Sequence, residues 1–240
     1  MTLKVRKIAH KLHIWAGAVL AVQILFWIAG GLIMSAIPLE RVHGKHLATK
    51  QSSIPFKSAD FTYSIDEAIT AMSFAPTQIV GAYVLESPYY ILSNGQHSKA
   101  IHAKTGKALG ALSAQQVNKI AAEHYLGKAN IYGTELLTDV PPEASRNMSP
   151  VWQVTYDDRW QTTLYISNYT GQVTTIRSHI WRIFDFVWML HIMDYDDRED
   201  FNNPLLISFA AASLLFTLSG FTLLFYKLRI RRTLQKIAIR

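Results

Sequence analysis

The chain has 240 residues, half of them hydrophobic and only 17% charged, with no cysteine and a net charge of +7. Without cysteine there is no disulfide framework, no thiolate metal site and no covalent c-type haem attachment. The basic balance is not a nucleic-acid signature, because ten of the 24 basic residues sit at the two ends and the remainder, holding all 17 acidic residues, is mildly acidic.

Residues 1–13 carry Lys4, Arg6, Lys7 and Lys11, and an uncharged run follows from Ile14 to Ile37. Its only strongly polar side chain is Gln23. At about 1.5 Å per residue the run reaches roughly 36 Å, enough to span a hydrocarbon core of about 30 Å with some tilt. Met34-Ser35-Ala36 would pass as a signal-peptidase site. The apolar run far exceeds the roughly 7–15 residues of a signal core, so an uncleaved anchor is expected.

Residues 38–60 read as a polar connector containing His43, His46 and Ser52-Ser53. A pattern then occurs twice. In residues 61–110, Ser64 is placed as an N-cap with Glu67 as its capping-box partner. Strands are predicted at Ile79–Leu85, Tyr89–Ser93 and Ser98–His102, closing on Lys104-Thr105-Gly106-Lys107. In residues 111–177, Ser113 opens a helix over Ala114–His124. Strands near Ile131–Leu137, Val151–Tyr156 and Thr162–Ile166 follow, closing on Tyr169-Thr170-Gly171-Gln172. Asn94-Gly95 and the Thr-Gly pairs are tight-turn signals. Each copy is thus one helix over a small antiparallel meander, and two copies of this size are expected to pack as one α+β unit. Neither copy offers paired carboxylates at an apolar site, a glycine-rich phosphate loop or a nucleophile beside a base.

Residues 178–203 begin with Ser178–Met193, an aromatic-rich segment suited to an interfacial helix at the outer surface. An acidic loop follows. Leu205–Tyr226 is a second uncharged run, within a predicted span over 204–226. The tail, 227–240, carries Lys227, Arg229, Arg231, Arg232, Lys236 and Arg240. The positive-inside tendency puts both termini in the cytoplasm and the middle outside. The expected architecture is therefore an α+β membrane protein: two transmembrane helices flanking an external repeat pair, with an interfacial helix before the second span.

Histidines mark both borders. His13 lies at the cytoplasmic end of the first span with His10 one turn earlier, and His191 lies before the second span among aromatic rings able to wall a porphyrin. Helix-borne histidines in a bundle suit a non-covalent haem b. His43 and His46, at i,i+3 spacing, and His179 are further outer candidates for binding a cofactor. His97, His102 and His124 are expected to be ordinary surface or turn residues. Two axial nitrogens on one iron lie about 4 Å apart, from Fe–N bonds near 2 Å. His13 and His191, on opposite faces, cannot share a haem. The second span has no histidine, which leaves His13 with His10, a non-histidine ligand, or the His13 of a second copy. His10 is on the same face and cannot reach around the ring, so a homodimer with one or two haems is expected. Asp194, Asp196, Asp197, Glu199 and Asp200 crowd beside His191. They form an oxygen-rich patch of the kind that holds hard cations such as Fe(III). A solvated outer loop is the alternative.

The helix-plus-meander copies ending in Thr-Gly turns resemble PepSY domains. The basic start running into Leu12-His13-Ile14-Trp15-Ala16-Gly17, with Leu190-His191 and Leu218-Ser219-Gly220 later, resembles the PepSY-associated transmembrane family. The resemblance covers nearly the whole chain, and the family's short members, among them inner-membrane iron reductases of the VciB type, resemble it more closely than the larger ones. The resemblance implies a bacterial inner-membrane protein with a periplasmic middle. It also implies passage of electrons from the cytoplasmic side to periplasmic Fe(III), supplying Fe(II) for uptake. No glycine-rich dinucleotide fingerprint is present, so the cytoplasmic electron donor is bound elsewhere. Other PepSY proteins bind or inhibit peptidases. The alternative reading is accordingly a non-enzymatic scaffold for a peptidase, peptide or ferrous iron transporter.

Overall fold

The computed structural model describes residues 3–238. Of the basic residues expected at the cytoplasmic face, Arg240 and the side chains of Lys4, Arg6, Arg231, Arg232 and Lys236 lie outside that description. In chain order the elements are α1 (Leu3–Ala36), α2 (Leu39–Val42), α3 (Ile65–Thr70), β1 (Gln78–Val84), β2 (Ser87–Ser93), β3 (Ser98–His102) and α4 (Ala114–His124). Then come β4 (Ile131–Leu137), β5 (Val151–Tyr156), β6 (Thr163–Ser167), β7 (Val173–Arg177), α5 (His179–Ile192) and α6 (Pro204–Ala238). The α+β chain divides into two units, Met1–Ile37 with Phe184–Arg240, and Pro38–Ile183.

In the first unit, α1 and α6 contain stretches long and apolar enough to cross a membrane, His10–Ala36 and Pro204–Arg229. The two helices run antiparallel. Gly17 of α1 meets the Phe216 ring, while His13, one turn earlier, meets Ser219 and Gly220, which follow Phe216 on α6. Trp15, Val19, Val22 and Leu32 on α1 and Leu214, Leu215 and Phe225 on α6 are each at least 60% exposed. An apolar surface of that extent needs a non-aqueous surrounding or a partner. Asn203 caps α6: its Oδ1 accepts from the Leu206 N–H at 2.8 Å, and Pro204 takes the first helical position, where its missing N–H costs nothing.

α5 occupies the aromatic segment expected to be helical. Its last turn leaves carbonyls without helical partners, and side chains satisfy three of them. Gln23 Nε2 donates to Leu190 O at 3.1 Å, Trp27 Nε1 to His191 O at 2.8 Å, and Asn203 Nδ2 to Ile192 O at 2.9 Å. Gln23 and Trp27 are one turn apart on α1, so the only strongly polar residue of the apolar run helps cap a neighbouring helix. Met193 then turns the chain in the left-handed region, φ 55°.

The second unit holds a three-stranded antiparallel sheet, β1-β2-β3, and a four-stranded one, β4-β5-β6-β7. Val117, Ile120 and Ala121 of α4 bury against Val154, Leu164, Ile166 and Val173 of the larger sheet, together with Val84 and Leu112. Each of the larger aliphatic side chains contributes about 1.5–3 kcal/mol when fully buried. Ala68 of α3 joins a smaller cluster with Tyr90, Leu92 and Ile101. Both Thr-Gly turns place glycine in the left-handed region, Gly106 at φ 70° and Gly171 at φ 67°. A Cβ on Gly171 would lie 2.5 Å from Val84 Cγ1, so glycine is required where the two copies touch.

Four sequence expectations need correction here. The chain does not stop pairing at the second Thr-Gly turn: β7 continues from it and pairs with β6. In the first copy the matching continuation is a single bridge, Ile101 with Ala108. Ser64 makes no side-chain cap, unlike Ser113, whose capping box with Gln116 is complete. The start of α3 is held instead by the N–H groups of Thr62 and Tyr63 on Ala103 O, and by Tyr90 Oη donating to Tyr63 O. The connector, read as polar, also contributes apolar side chains to the core. Val42, Leu47 and Ala48 are buried, and Ala48 bridges Tyr125. His124 is a buried residue, not a surface one, because α4 turns it inward to place Nδ1 2.8 Å from Thr49 O.

A charged network joins the start of α5 to the inner strands of the larger sheet. Arg182, in the first turns of α5, donates from Nε to Glu143 Oε2 at 2.8 Å and from its terminal nitrogen to Oε1 at 2.9 Å. The fully buried Tyr165 donates its hydroxyl to Glu143 Oε1 at 2.8 Å and accepts from Gln153 Nε2 at 2.8 Å. Burial pushes the Glu143 carboxyl upward. The hydrogen bonds from Arg182 and Tyr165 outweigh it and hold the group below its ordinary range.

Candidate functional site

His13 and His191 both fall in the unit built on α1 and α6, and each meets a glycine. His13 reaches from α1 to α6, where its Nδ1 lies 2.7 Å from Ser219 Oγ. Its ring stacks on Phe216 at 4.3 Å between centroids with planes 11° apart. A Cβ at Gly220 would come within 3.1 Å of His13 Cε1 and 3.6 Å of Nε2, so only glycine lets the imidazole approach this closely. The packing is reciprocal, since a Cβ at Gly17 would lie 3.0 Å from the Phe216 ring. Phe216, Ser219 and Gly220 share one face of α6 through their i, i+3, i+4 spacing.

His191 packs beside Gly30 on α1, where an added Cβ would sit 3.7 Å from its Nδ1 and 3.2 Å from Val187 Cγ1. Its carbonyl is held by Trp27, whose ring lies 6.4 Å away and tilted by 52°. Nδ1 of His191 is buried with no hydrogen-bond partner. An unsatisfied buried nitrogen costs about 1–3 kcal/mol, so its persistence calls for an explanation.

His13 and the Gly30 contact of His191 are separated along α1 by about 25 Å, at 1.5 Å per residue. This is several times the roughly 4 Å between axial ligands on one iron. The two imidazoles therefore form two separate sites.

The other candidates are not drawn into either site. His10 is exposed on α1. His43 and His46 are exposed beside α2, and His179 is exposed at the start of α5 with Nε2 2.9 Å from Gln161 Oε1. Among the described residues, no three or more His, Asp or Glu side chains gather as metal ligands. Asp194, expected in an iron-holding patch, instead organises its own loop. Its Oδ2 accepts from the Glu199 and Asp200 N–H groups at 2.9 and 3.0 Å, and its Oδ1 from the Asp196 N–H at 3.4 Å. These backbone donors, Asp200 foremost, hold its pKa below the ordinary value. Arg198 pairs with Asp185, and its carbonyl accepts from Trp188 Nε1 at 3.1 Å. Asp196, Asp197, Glu199 and Asp200 remain exposed.

A b-type haem asks for an imidazole nitrogen free of protein partners. Among the described residues nothing hydrogen-bonds His13 Nε2 or either ring nitrogen of His191. Gly220 and Gly30 let each ring lie directly against a facing helix backbone. Each place thus offers one imidazole donor of the kind a b-type haem would take as an axial ligand. The sequence singles out the two histidines, and it names Ser219 and Gly220 only within a family motif, with no role for them or for Trp27 and Gly30. The glycines stood in view in the apolar runs, and their meaning depends on which helix lies opposite. Comparison of the chain with protein-family models, curated proteins and solved structures finds no match.

Proposed function

We propose that the chain is a haem-carrying ferric reductase of a bacterial inner membrane. Both termini are cytoplasmic and the PepSY-like pair of sheets is periplasmic in this reading. Electrons pass from a cytoplasmic donor to periplasmic Fe(III), and Fe(II) is released for a ferrous transporter. The observation that carries the reading is the pair of imidazoles about 25 Å apart along α1, each beside a glycine and each keeping a ring nitrogen free of protein partners. That spacing is close to a hydrocarbon thickness of about 30 Å and would put one redox site near each face.

His13 and His191 would hold haem b, which supplies a one-electron relay when bound. The chain's own residues do the rest. Ser219 and Phe216 orient His13, Trp27 and Gln23 fix the end of α5 that carries His191, and the outward apolar surfaces of α1 and α6 seat the pair in lipid. α6 brings Ser219 and no second imidazole to His13, so a second ligand of the same kind must come from another copy, which favours a twofold dimer. The exposed carboxylates after Asp194 attract Fe(III) as a diffuse field and not as a formed ligand cage.

The test is the absorption spectrum of the purified protein in mild detergent. Wild type should be red, with a Soret band and split low-spin α and β bands on dithionite reduction. His13→Ala and His191→Ala should each lose part of that absorbance. Colourless protein at full expression would support the scaffold reading instead.

A further inference from the structure

Of the two histidines, only His13 has a fixed partner on its Nδ1, and the proton inventory around that partner is complete. A serine hydroxyl has one hydrogen to donate. Ser219 Oγ lies 2.7 Å from its own-helix carbonyl, Phe216 O, which can only accept, so the hydroxyl proton points there. The second short contact, 2.7 Å to His13 Nδ1, must therefore be one in which Oγ accepts. It follows that Nδ1 carries a proton and that the lone pair of the neutral ring sits on Nε2.

We infer that Ser219 is a positioning residue: it fixes the tautomer of His13 and thereby selects Nε2 as the nitrogen free to coordinate iron. The inference rests on the haem reading proposed above. An imidazole free in water prefers its proton on Nε2, the arrangement that would block coordination there, and the hydrogen bond made by the other nitrogen decides between the two. The Phe216 stack at 4.3 Å opposes rotation of the ring, and Gly220 removes the side chain that would otherwise crowd the Cε1–Nε2 edge. Partners of this kind on metal-bound histidines are worth about 10–100-fold in metal affinity. His191 serves as an internal contrast, because its buried Nδ1 has no acceptor.

The test uses full-length protein in detergent micelles, labelled with 15N-histidine, in wild-type, Ser219→Ala and Ser219→Thr forms. His13→Gln assigns the His13 signals. At about pH 8 an ordinary imidazole is neutral. There, without haem, long-range 1H–15N correlations should show His13 protonated on Nδ1 in wild type and in Ser219→Thr, whose hydroxyl can do the same work. Ser219→Ala should move the proton to Nε2 or give a mixture. Titration with hemin should show the His13-dependent site weakened about 10-fold or more in Ser219→Ala and restored in Ser219→Thr. A wild-type His13 protonated on Nε2, or hemin binding indifferent to Ser219→Ala, overturns the role given to Ser219. Wild-type protein that takes up no hemin at all overturns the haem reading itself, whatever the tautomer.

Discussion

Removing the Glu143 carboxylate tests how firmly Arg182 and the start of α5 are held within the second unit. In Glu143→Ala, Arg182 loses its two hydrogen bonds to Glu143 and keeps the one to Thr163 Oγ1, and the fully buried Tyr165 hydroxyl loses its acceptor. Breaking a buried pair from one side costs about 3–5 kcal/mol. The Arg182 side chain is 33% exposed, so water takes over part of its solvation. The expected loss is reduced to about 2–3 kcal/mol. In a unit of this size each kcal/mol moves Tm by about 4 °C, which gives a fall of roughly 8–12 °C. Tryptophan fluorescence during thermal unfolding in detergent reads it, because Trp152 lies in this unit's core. Glu143→Gln, which keeps an acceptor for Tyr165, should lose less.

The same pair predicts a pH dependence. The folded pKa of Glu143 lies below its unfolded value, because Arg182 and Tyr165 outweigh burial. Its contribution is therefore present above the unfolded value of about 4.3 and disappears as pH falls through the folded one. The gap between wild type and Glu143→Ala should close in acid. Midpoints within about 2 °C of each other at neutral pH, or a gap that widens on acidification, would refute the reasoning.

Gly220→Ala puts a methyl group 3.1 Å from His13 Cε1, and the imidazole must shift by a few tenths of an ångström. A cost of about 1–3 kcal/mol is expected, with loss of the His13-dependent part of the haem spectrum and retention of the His191-dependent part. Trp27→Phe keeps the ring but removes the N–H held by His191 O. It should weaken haem retention at His191 about fivefold, the equivalent of about 1 kcal/mol, as read by transfer to apomyoglobin. Neutralising Asp196, Asp197 and Asp200 together to asparagine should raise the apparent KM for ferric iron without changing haem content. Asp194→Asn should instead speed proteolysis of the loop, because Asp194 holds the Glu199 and Asp200 amides.

Local signals in the sequence were read most accurately where one residue type settles the outcome. Helix α4 and strands β3, β4 and β5 fall on their expected boundaries, since capping by Ser113, turn glycines and alternating β-branched residues act within a few positions. β7 carries a local strand signal of its own in the β-branched run Val173-Thr174-Thr175-Ile176, which the Thr-Gly turn before it overshadows as an apparent end of the copy. The connector's share in the core is hidden in the sequence because Ala48 bridges Tyr125, far along the chain. The site shows the same division. His13 and His191 are conspicuous as histidines bordering apolar runs. Ser219, Gly220 and Trp27 become meaningful only once α1, α5 and α6 lie side by side. Gln23, the one strongly polar side chain of the first apolar run, helps cap the end of α5.

Vesicles of bacterial phospholipid containing the purified protein, loaded with dithionite and suspended in ferric citrate with the Fe(II) indicator ferrozine, would put transmembrane electron flow to its most direct test. The account predicts coloured Fe(II) complex outside wild-type vesicles, with the rate falling to that of protein-free vesicles in His13→Ala and His191→Ala. Wild-type vesicles no faster than protein-free ones, or histidine variants as fast as wild type, would contradict it.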